Sequence, residues 1–200
     1  MSSEVKANKI SPATGTAFTF GDSGDTFTIP SGVTLTNSGT ATGFGGDNTP
    51  AFSAYLSSDQ TGISDATMTT LIFQTEYFDT DSAYDTSTGR FTVPSGEGGK
   101  YWVTYRILMY TGSGGNLIAC QGKLLKNGST TCAVAEIASG GGYLIQASAQ
   151  PVHFTGAVTL SAGDYIEVQG YMDTSNNAGC NCGGDAYYRS YFGAYKMIGL

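Results

Sequence analysis

The sequence predicts an all-β protein whose larger part is a double-sheet jelly-roll sandwich. Gly, Ser and Thr fill 75 of the 200 positions, and these residues favour short strands and tight turns over helices. From Ala51 onward, aromatic and β-branched residues recur in short runs separated by turn residues, and no stretch shows sustained helical periodicity. Eight to ten antiparallel strands within about 150 residues are typical of a jelly roll.

The composition divides the chain into four parts. Residues 1–15 form a polar arm, residues 16–46 a β-rich stalk or anchor segment, residues 47–50 a linker, and residues 51–200 the jelly-roll domain. The chain is long enough for one full-sized core and an appendage too small to bury a core of its own. A proline at the end of the linker favours an extended backbone where the chain enters the domain.

The β-rich segment reads TAFTFGDSGDTFTIPSGVTLTNSGTATGF over residues 16–44. Apolar residues alternate with Thr in three pieces, as in half-buried strands: Phe18 and Phe20, Phe27 and Ile29, Val33 and Leu35. So few apolar side chains cannot offset the entropy of ordering about 30 residues. The segment therefore needs a partner, either the following domain or copies of itself, and its similar turn-and-strand units favour the second.

Nine runs in residues 51–200 are predicted to be strands, because aromatic and β-branched residues dominate them. In chain order they are AFSAYL (51–56), TLIFQTEYF (70–78), GRFTVP (89–94), KYWVTYRILMY (100–110), LIACQGKLL (117–125), TTCAVAEI (130–137), QPVHFTGAVTL (150–160), DYIEVQGYM (164–172) and YYRSYFGAYKMI (187–198). Clusters rich in Gly, Asn, Asp and Ser separate them, as turns require.

Charge and hydropathy exclude several classes of partner. The formal net charge is −7, and the nine Lys and Arg are scattered singly, so we expect no nucleic-acid binding. No run of about 18 apolar residues occurs, so we expect no membrane partner. The amino terminus MSSEVKANKISP lacks an apolar signal-peptide core, so we expect no secretion signal.

Cysteine geometry predicts free thiols rather than disulfides. Cys120 and Cys132 flank an Asn-Gly turn at KNGS (126–129), which a two-residue hairpin turn would close. That register places Cys132 opposite Lys123 and Cys120 opposite Ala135, so the two sulfurs point to opposite faces of the sheet.

The remaining two cysteines, Cys180 and Cys182, form a C-x-C pair with no other Cys or His close in sequence, which is a weak metal signal. We therefore expect four free thiols, as in a protein made in a reducing cytoplasm.

Catalytic patterns are sparse. A metal-dependent jelly-roll enzyme needs two or three His ligands, whereas His153 is the single histidine, and we interpret it as an ordinary surface or hydrogen-bonded residue. Asp79, Asp81 and Asp85 imitate part of a calcium loop but lack its Gly and terminal Glu, which favours a solvated turn. The sequence therefore predicts no enzyme, no metal and no cofactor, with glycan hydrolysis by two loop carboxylates as the third alternative.

The order of motifs in residues 51–200 resembles the C1q/tumour-necrosis-factor-like domain. AFSAYLSS (51–58) is similar to the first strand of that family. The groups that follow in the family's order are Tyr84 and Asp85, then Thr88, Gly89 and Phe91, then Pro94, Gly99 and Tyr101, then Lys126, Asn127 and Gly128, then Leu160, Gly163 and Asp164, and finally Tyr191, Phe192 and Gly193. The resemblance implies a jelly roll that assembles as a homotrimer, and it implies that Tyr187, Tyr191 and Tyr195 on the last strand line the threefold axis.

The β-rich segment resembles something else. GDTFTIPSGVTLTNSGTATGFG is similar to low-complexity units found in structural proteins of marine bacteriophages, especially cyanophages. In those proteins the units often precede a C1q-like tip. The combination implies a non-enzymatic virion protein assembled in the host cytoplasm, a trimeric tail or capsid fibre that attaches to the host surface. The alternative is a capsid decoration or tail adaptor whose domain packs on other virion proteins, which the amino-terminal segment would also contact.

Recognition of a host glycan or receptor is expected in long polar loops, because loops on a rigid sandwich can vary without unfolding it. The three loops are TGSGG (111–115), SGGG (139–142) and DTSNNAGCNCGGD (173–185). The candidate residues in and beside them are Ser113, Asn116, Asn176, Asn177 and Asp185. The extra residues in SGEGG (95–99), where the family's usual spacing is shorter, are a further candidate.

Overall fold

The computed structural model describes residues 10, 12, 14–17, 19–36, 38, 48–112, 114, 116–138 and 149–198. The chain separates into two compact units, residues 1–42 and residues 43–200. No helix in the described part of the chain is long and apolar enough to cross a bilayer.

The larger unit is built from β-strands, which confirms the predicted fold class. Its described residues form thirteen strands and no helix: β1 (Ala51–Tyr55), β2 (Gln60–Ile63), β3 (Thr69–Thr70), β4 (Thr75–Asp79), β5 (Tyr84–Asp85), β6 (Arg90–Thr92), β7 (Gly99–Thr111), β8 (Leu117–Lys126), β9 (Thr130–Ala138), β10 (Ala149–Leu160), β11 (Tyr165–Thr174), β12 (Cys180–Cys182) and β13 (Tyr191–Lys196).

The strands form two antiparallel sheets. Sheet A has the order β2-β12-β7-β13-β1-β4, with β10 along the other edge of β7. On the remaining edge of β7, β13 pairs with residues 101–106 and β12 with residues 109–111. Sheet B has the order β5-β6-β11-β8-β9, with β3 paired to β11.

Alternation along β7 decides which side chains enter the space between the sheets. Five alternate residues of this strand are fully buried: Tyr101, Val103, Tyr105, Ile107 and Met109. Their neighbours along the strand point to the outer face of sheet A. Tyr101 and Trp102 therefore lie on opposite faces of sheet A.

An aromatic cluster fills part of the core. The ring centroid of Phe52 lies 4.8 Å from that of Tyr84, 4.7 Å from Phe91 and 4.9 Å from Phe192. All four rings are buried. Because the four residues come from β1, β5, β6 and β13, the cluster ties sheet A to sheet B.

The YDTSTGRF stretch forms the predicted turn and strand. The Gly89 N–H donates to the Asp85 carbonyl at 2.8 Å, and Gly89 has a φ of +72°. A Cβ added at Gly89 would lie 2.6 Å from the Leu71 carbonyl oxygen, so only glycine fits. Phe91 then enters the core, and β6 ends before Pro94, which has no N–H for the ladder.

The β8–β9 hairpin corrects the predicted register. Both residues of its Asn-Gly turn have positive φ, as expected, but the turn has three residues, because Lys126 pairs with Thr130 rather than with Ser129 as a two-residue turn would require. A bulge between Thr131 and Ala133 shifts the pairing by one further residue. Cys120 therefore lies opposite Ile137 rather than Ala135, and Cys132 is the extra residue of the bulge rather than the partner of Lys123. All four cysteines are free.

Two turns of sheet B bind each other through Asp164. Asn127 Nδ2 donates to Asp164 Oδ1 at 2.8 Å, Lys126 Nζ lies 2.8 Å from Asp164 Oδ2, and the Ser161 N–H donates to the same oxygen at 2.7 Å. The Tyr165 N–H donates to Asn127 Oδ1 at 3.0 Å. The bonds from Lys126 and Asn127 favour the ionised carboxylate and lower the pKa of Asp164 to about 2.

We expect the Asp164→Asn variant to lose less stability than the wild type as the pH falls. The folded pKa is about 2 and the ordinary value is 3.8, so the ionised carboxylate stabilises the fold above about pH 5. That contribution is lost as the pH falls toward 2, so the melting temperature of the wild type should fall more steeply than that of the variant. Asp173→Asn removes the same charge elsewhere on sheet B and should keep the wild-type slope. Equal slopes for Asp164→Asn and the wild type would contradict this account.

The smaller unit contains turns and no strand in its described residues. The Val33 N–H donates to the Pro30 carbonyl at 3.2 Å, which closes one of these turns. Its exposed large apolar side chains, among the described residues, are Ile10, Phe20, Phe27, Ile29, Val33 and Leu35. Phe18 and most of the polar arm lie outside the described residues. Pairing of this segment with copies of itself stays a prediction.

Candidate functional site

The sandwich of the larger unit has two distinct ends. At the base, β1 begins beside the end of β13, and the Lys196 N–H donates to the Pro50 carbonyl at 3.1 Å. At the opposite end, here called the tip, β7 ends at Thr111 and β11 at Thr174.

The SGEGG loop lies at the base. Lys196 Nζ is 2.8 Å from Glu97 Oε2, and the Tyr101 hydroxyl donates to the Glu97 carbonyl at 2.6 Å. The Met197 N–H donates to the Lys100 carbonyl at 2.8 Å. The loop is therefore fastened beside the point where the chain enters the domain, at the end of the sandwich away from the tip loops.

The outer face of sheet A, which turns away from sheet B, carries rows of side chains across neighbouring strands. The registers give three rows from base to tip: Ala51, Tyr195, Trp102 and Ala157; then Ser53, Gly193, Thr104 and Thr155; then Tyr55, Tyr191, Arg106 and His153. His153 is exposed there. The middle row has small side chains, so it lies lower than the rows on either side.

The low middle row opens an apolar hollow of about 240 Å³. A Cβ added at Gly193 would lie 2.9 Å from the Phe52 carbonyl oxygen, so close strand packing keeps glycine on its floor. Phe78, Trp102 and Tyr195 border the hollow and are 44%, 36% and 40% exposed. Exposed aromatic side chains around an apolar hollow mark an interaction surface.

Two of the three predicted interface tyrosines lie on this outer face. Tyr191 and Tyr195 belong to β13 and occupy two of its rows. Tyr187 is 87% exposed and precedes the strand, so its predicted position on the last strand is wrong. The strand begins later because the buried Ser190 hydroxyl donates to the Gly183 carbonyl at 2.6 Å, which holds the preceding loop.

Other aromatic residues of the outer face were not predicted from the sequence to lie there. Trp102, Phe78 and Tyr55 come from three strands that are far apart in the chain, and only sheet pairing makes them neighbours. Tyr188 extends the aromatic surface, since its ring centroid lies 4.4 Å from that of Tyr55. The signal in the sequence was Trp102 itself, because alternation from the buried Tyr101 places it outward.

Two predicted recognition loops meet at the tip. The Ser175 N–H donates to the Asn116 carbonyl at 2.9 Å, and the Asn116 N–H donates to Ser175 Oγ at 3.1 Å. The Gly112 N–H donates to the Gly179 carbonyl at 2.9 Å. These bonds join the loop after β7 to the loop after β11 and make one continuous polar surface.

The other recognition candidates have different surroundings. Asn177 is exposed in the second tip loop with a φ of +50°, and Asn176 Oδ1 accepts the Ala178 N–H at 3.2 Å. Ser113 and the loop at residues 139–142 lie outside the described residues. Asp185 belongs to the segment between β12 and β13.

Asp79 and Asp85, two of the three aspartates that imitate part of a calcium loop in sequence, accept hydrogen bonds that close turns. Asp79 accepts the N–H groups of Asp81 at 3.2 Å and Tyr84 at 2.8 Å. The Ser87 hydroxyl and N–H both donate to Asp85, and these bonds lower the pKa of Asp85 to about 2. Across the described ranges, no three His, Cys, Asp or Glu side chains form a group that could hold a metal ion.

Burial makes the cysteines poor nucleophiles. It raises the pKa of Cys120 and of Cys182 to about 12, raises that of Cys180 to about 11, and raises that of Cys132. At pH 8 we expect a thiol-specific reagent to label at most the half-buried Cys132 in the folded protein, and all four cysteines after unfolding. Rapid labelling of three or more thiols in the folded protein would contradict this prediction.

Residues 51–177, more than half of the chain, match the C1q domain. The chain belongs to the C1q domain family. The strands that follow the matched range complete the same sandwich, since β13 lies between β1 and β7. Among curated proteins, none matches this chain in sequence.

Solved structures show the same fold as this C1q domain. The globular domain of zebrafish complement 1qA protein has a TM-score of 0.52 at 14% identity, covering 74% of this chain and 98% of that one. Eiger TNF from S. frugiperda has a TM-score of 0.54 at 15% identity, covering 75% and 93%. Murine APRIL at pH 8.0 has a TM-score of 0.53 at 12% identity, covering 74% and 98%. At these identities the likeness concerns the fold alone.

Proposed function

We propose that the protein is a homotrimeric, non-enzymatic bacteriophage fibre of the tail or capsid, whose C1q domain attaches the virion to the host surface. The observation that carries the proposal is the aromatic outer face of sheet A, which a single chain leaves exposed. C1q and TNF-like domains commonly form homotrimers.

The outer face suits burial between protomers. Trp102, Tyr195 and Phe78 surround the hollow and act as apolar anchors. In a threefold ring each protomer covers this face of its neighbour with a different surface, and the ring closes after three copies. Removal of the aromatic area from water contributes about 25 cal/mol per Å².

Attachment would use the tip loops. In a trimer the three tips lie on one side, because all three protomers share the axis direction. The joined loops around Asn116 and Ser175 are polar and are held by backbone hydrogen bonds, so they form a fixed surface. Three weak sites on one particle gain avidity when they engage the same surface.

The virion assignment rests on the resemblance of residues 24–45 to units of phage structural proteins. Phe27, Val33 and Leu35 are exposed in the single chain, and a stalk built from three chains would cover such side chains. In this arrangement the amino-terminal segment anchors the C1q domain to other virion proteins.

Light scattering tests the assembly. We expect the mass of three chains at micromolar concentration, independent of dilution over that range. A stable monomer under the same conditions would reject the fibre proposal.

Immunolabelling tests the location. An antibody raised against the C1q domain should label projecting fibres on intact virions and should block adsorption to the host. Label confined to the capsid shell, with unchanged adsorption, would instead support the decoration alternative.

A further inference from the structure

A pocket of about 280 Å³ opens on the outer face of sheet A, between the row of Tyr191 and Arg106 and the tip. Its lining comes from β7, from the start of β10, and from the loops that precede β2 and β13. The lining residues are Asp59, Leu108, Tyr110, Thr111, Ala149 and Arg189.

The pocket carboxylate is held in place by two neighbours. The Gly184 N–H donates to Asp59 Oδ1 at 2.9 Å, and the Tyr110 hydroxyl donates to Asp59 Oδ2. The bonds from Tyr110 and Gly184 lower the pKa of Asp59 below 3.8, so it is ionised at neutral pH. Each carboxylate oxygen has two lone pairs, so each keeps one acceptor position for a ligand.

The guanidinium of Arg189 is held by one ion pair, and its backbone is fixed by neighbouring strands. Arg189 Nε lies 2.7 Å from Asp185 Oδ2, and the Arg189 carbonyl accepts Arg106 Nη1 at 2.5 Å. The next residue, Ser190, is fully buried, and its Oγ accepts the Leu108 N–H at 2.9 Å. Among the described residues, neither Nη of Arg189 has a hydrogen-bond partner, so both remain donors at the pocket.

We propose that this pocket binds a neutral saccharide unit. Neighbouring hydroxyls of a sugar ring each donate and accept, so one pair can donate to Asp59 and accept from Arg189. Leu108 and Ala149 provide apolar contact for the C–H groups of the ring. A volume of about 280 Å³ lies just below the range of roughly 300–1,000 Å³ that drug-sized ligands occupy, which suits a single ring.

The charges around the pocket and on the whole chain favour a neutral sugar over an acidic one. Around the pocket, Asp59 and Asp185 balance Arg189 and Arg106, whose Nη1 donates to the Arg189 carbonyl at 2.5 Å, so no excess positive charge awaits an acidic ligand. A carboxylated or phosphorylated sugar beside Asp59 would meet repulsion from that carboxylate and from the formal net charge of −7 of the chain. A neutral ring makes the same hydrogen bonds without that cost.

The saccharide site deepens the proposed attachment function and rests on it, since a host-surface glycan is the ligand that three such sites would engage together. A single ring should bind weakly, with a dissociation constant on the order of 1 mM.

Saturation-transfer NMR on the full chain tests the site, with glucose, galactose, mannose and their disaccharides as probes and galacturonic acid as the acidic comparison. We expect at least one neutral sugar to bind and galacturonic acid to bind more weakly. Absence of binding by every neutral sugar, or tighter binding of galacturonic acid, would overturn the proposal.

Three variants locate the binding. Arg189→Gln and Asp59→Asn each remove part of the hydrogen-bonding pair, and Ala149→Trp fills the pocket without touching either charge. Each should raise the dissociation constant about 10-fold or more. Lys123→Gln, on the outer face of sheet B, removes the same charge as Arg189→Gln and should bind like the wild type. Unchanged binding by Ala149→Trp together with Arg189→Gln would overturn the proposal even if a sugar binds elsewhere.

Light scattering on the same samples separates this inference from the proposed function. We expect the three variants to keep the mass of the wild type. If Arg189→Gln dissociates the assembly, the pocket belongs to the protomer interface and the saccharide site is rejected while the trimer stands. A wild-type monomer that binds a neutral sugar at this pocket would reject the fibre and leave the site intact.

Discussion

Trp102→Glu is expected to convert the assembled protein into single folded chains. Trp102 lies in the row of the outer face nearest the base, beside Tyr195 and the apolar hollow. A glutamate there would bring an unpaired charge into each of the three interfaces, which costs several kcal/mol per site. We expect the dissociation constant to rise by at least about 1,000-fold, or about 4 kcal/mol, as measured by light scattering over a dilution series.

The matched control is Tyr171→Glu. It makes a similar aromatic-to-acid change on the outer face of sheet B, where β11 alternates between buried and outward residues. This variant should keep the mass of the wild type. A trimeric Trp102→Glu protein, or equal dissociation of both variants, would show that the outer face of sheet A is not the interface. Circular dichroism should show the same β-structure in both variants, because both side chains point outward.

Phe52→Ala is expected to lower the free energy of unfolding by about 3–5 kcal/mol. The ring of Phe52 lies within 4.9 Å of the rings of Tyr84, Phe91 and Phe192, which come from both sheets. Its removal leaves a cavity that these rings cannot close without moving the strands that carry them. Urea denaturation should be measured in the Trp102→Glu background, so that assembly does not contribute to the measured stability.

Tyr187→Ala is the control for the core variant. Tyr187 is 87% exposed, so its removal should change the free energy of unfolding by less than about 0.5 kcal/mol. A loss below about 1 kcal/mol for Phe52→Ala would show that the aromatic cluster is not tightly packed.

Local sequence patterns were sufficient to predict much of the fold. Alternation along KYWVTYRILMY puts Tyr101 and Trp102 on opposite faces, because successive side chains of a strand point to opposite sides. The Asn-Gly turn at 127–128 and the turn at Gly89 follow from residues that tolerate positive φ. These features depend on neighbours within a few residues, so the sequence displays them directly.

The register of strand pairing could not be predicted from the same local patterns. The third residue of the β8–β9 turn and the bulge at Cys132 each shift the pairing by one residue, so Cys120 lies opposite Ile137 instead of Ala135. The buried Ser190 likewise delayed the start of β13, which left Tyr187 in a loop. A distant strand also holds Ser190, because its Oγ accepts the Leu108 N–H at 2.9 Å, and no short window of sequence shows that contact.

The sequence by itself determined the all-β class, the order of the turns and the alternation that directs side chains inward or outward, because each depends on backbone preferences within a few residues. Only the tertiary structure decided that Trp102, Tyr195 and Phe78 share one hollow, that Asp59 and Arg189 line one pocket, and that the SGEGG loop lies at the base. The physical reason is that sheet pairing joins residues as far apart in the chain as Ala51 and Tyr195, and the closure of such long loops is decided by the whole core rather than by any one strand.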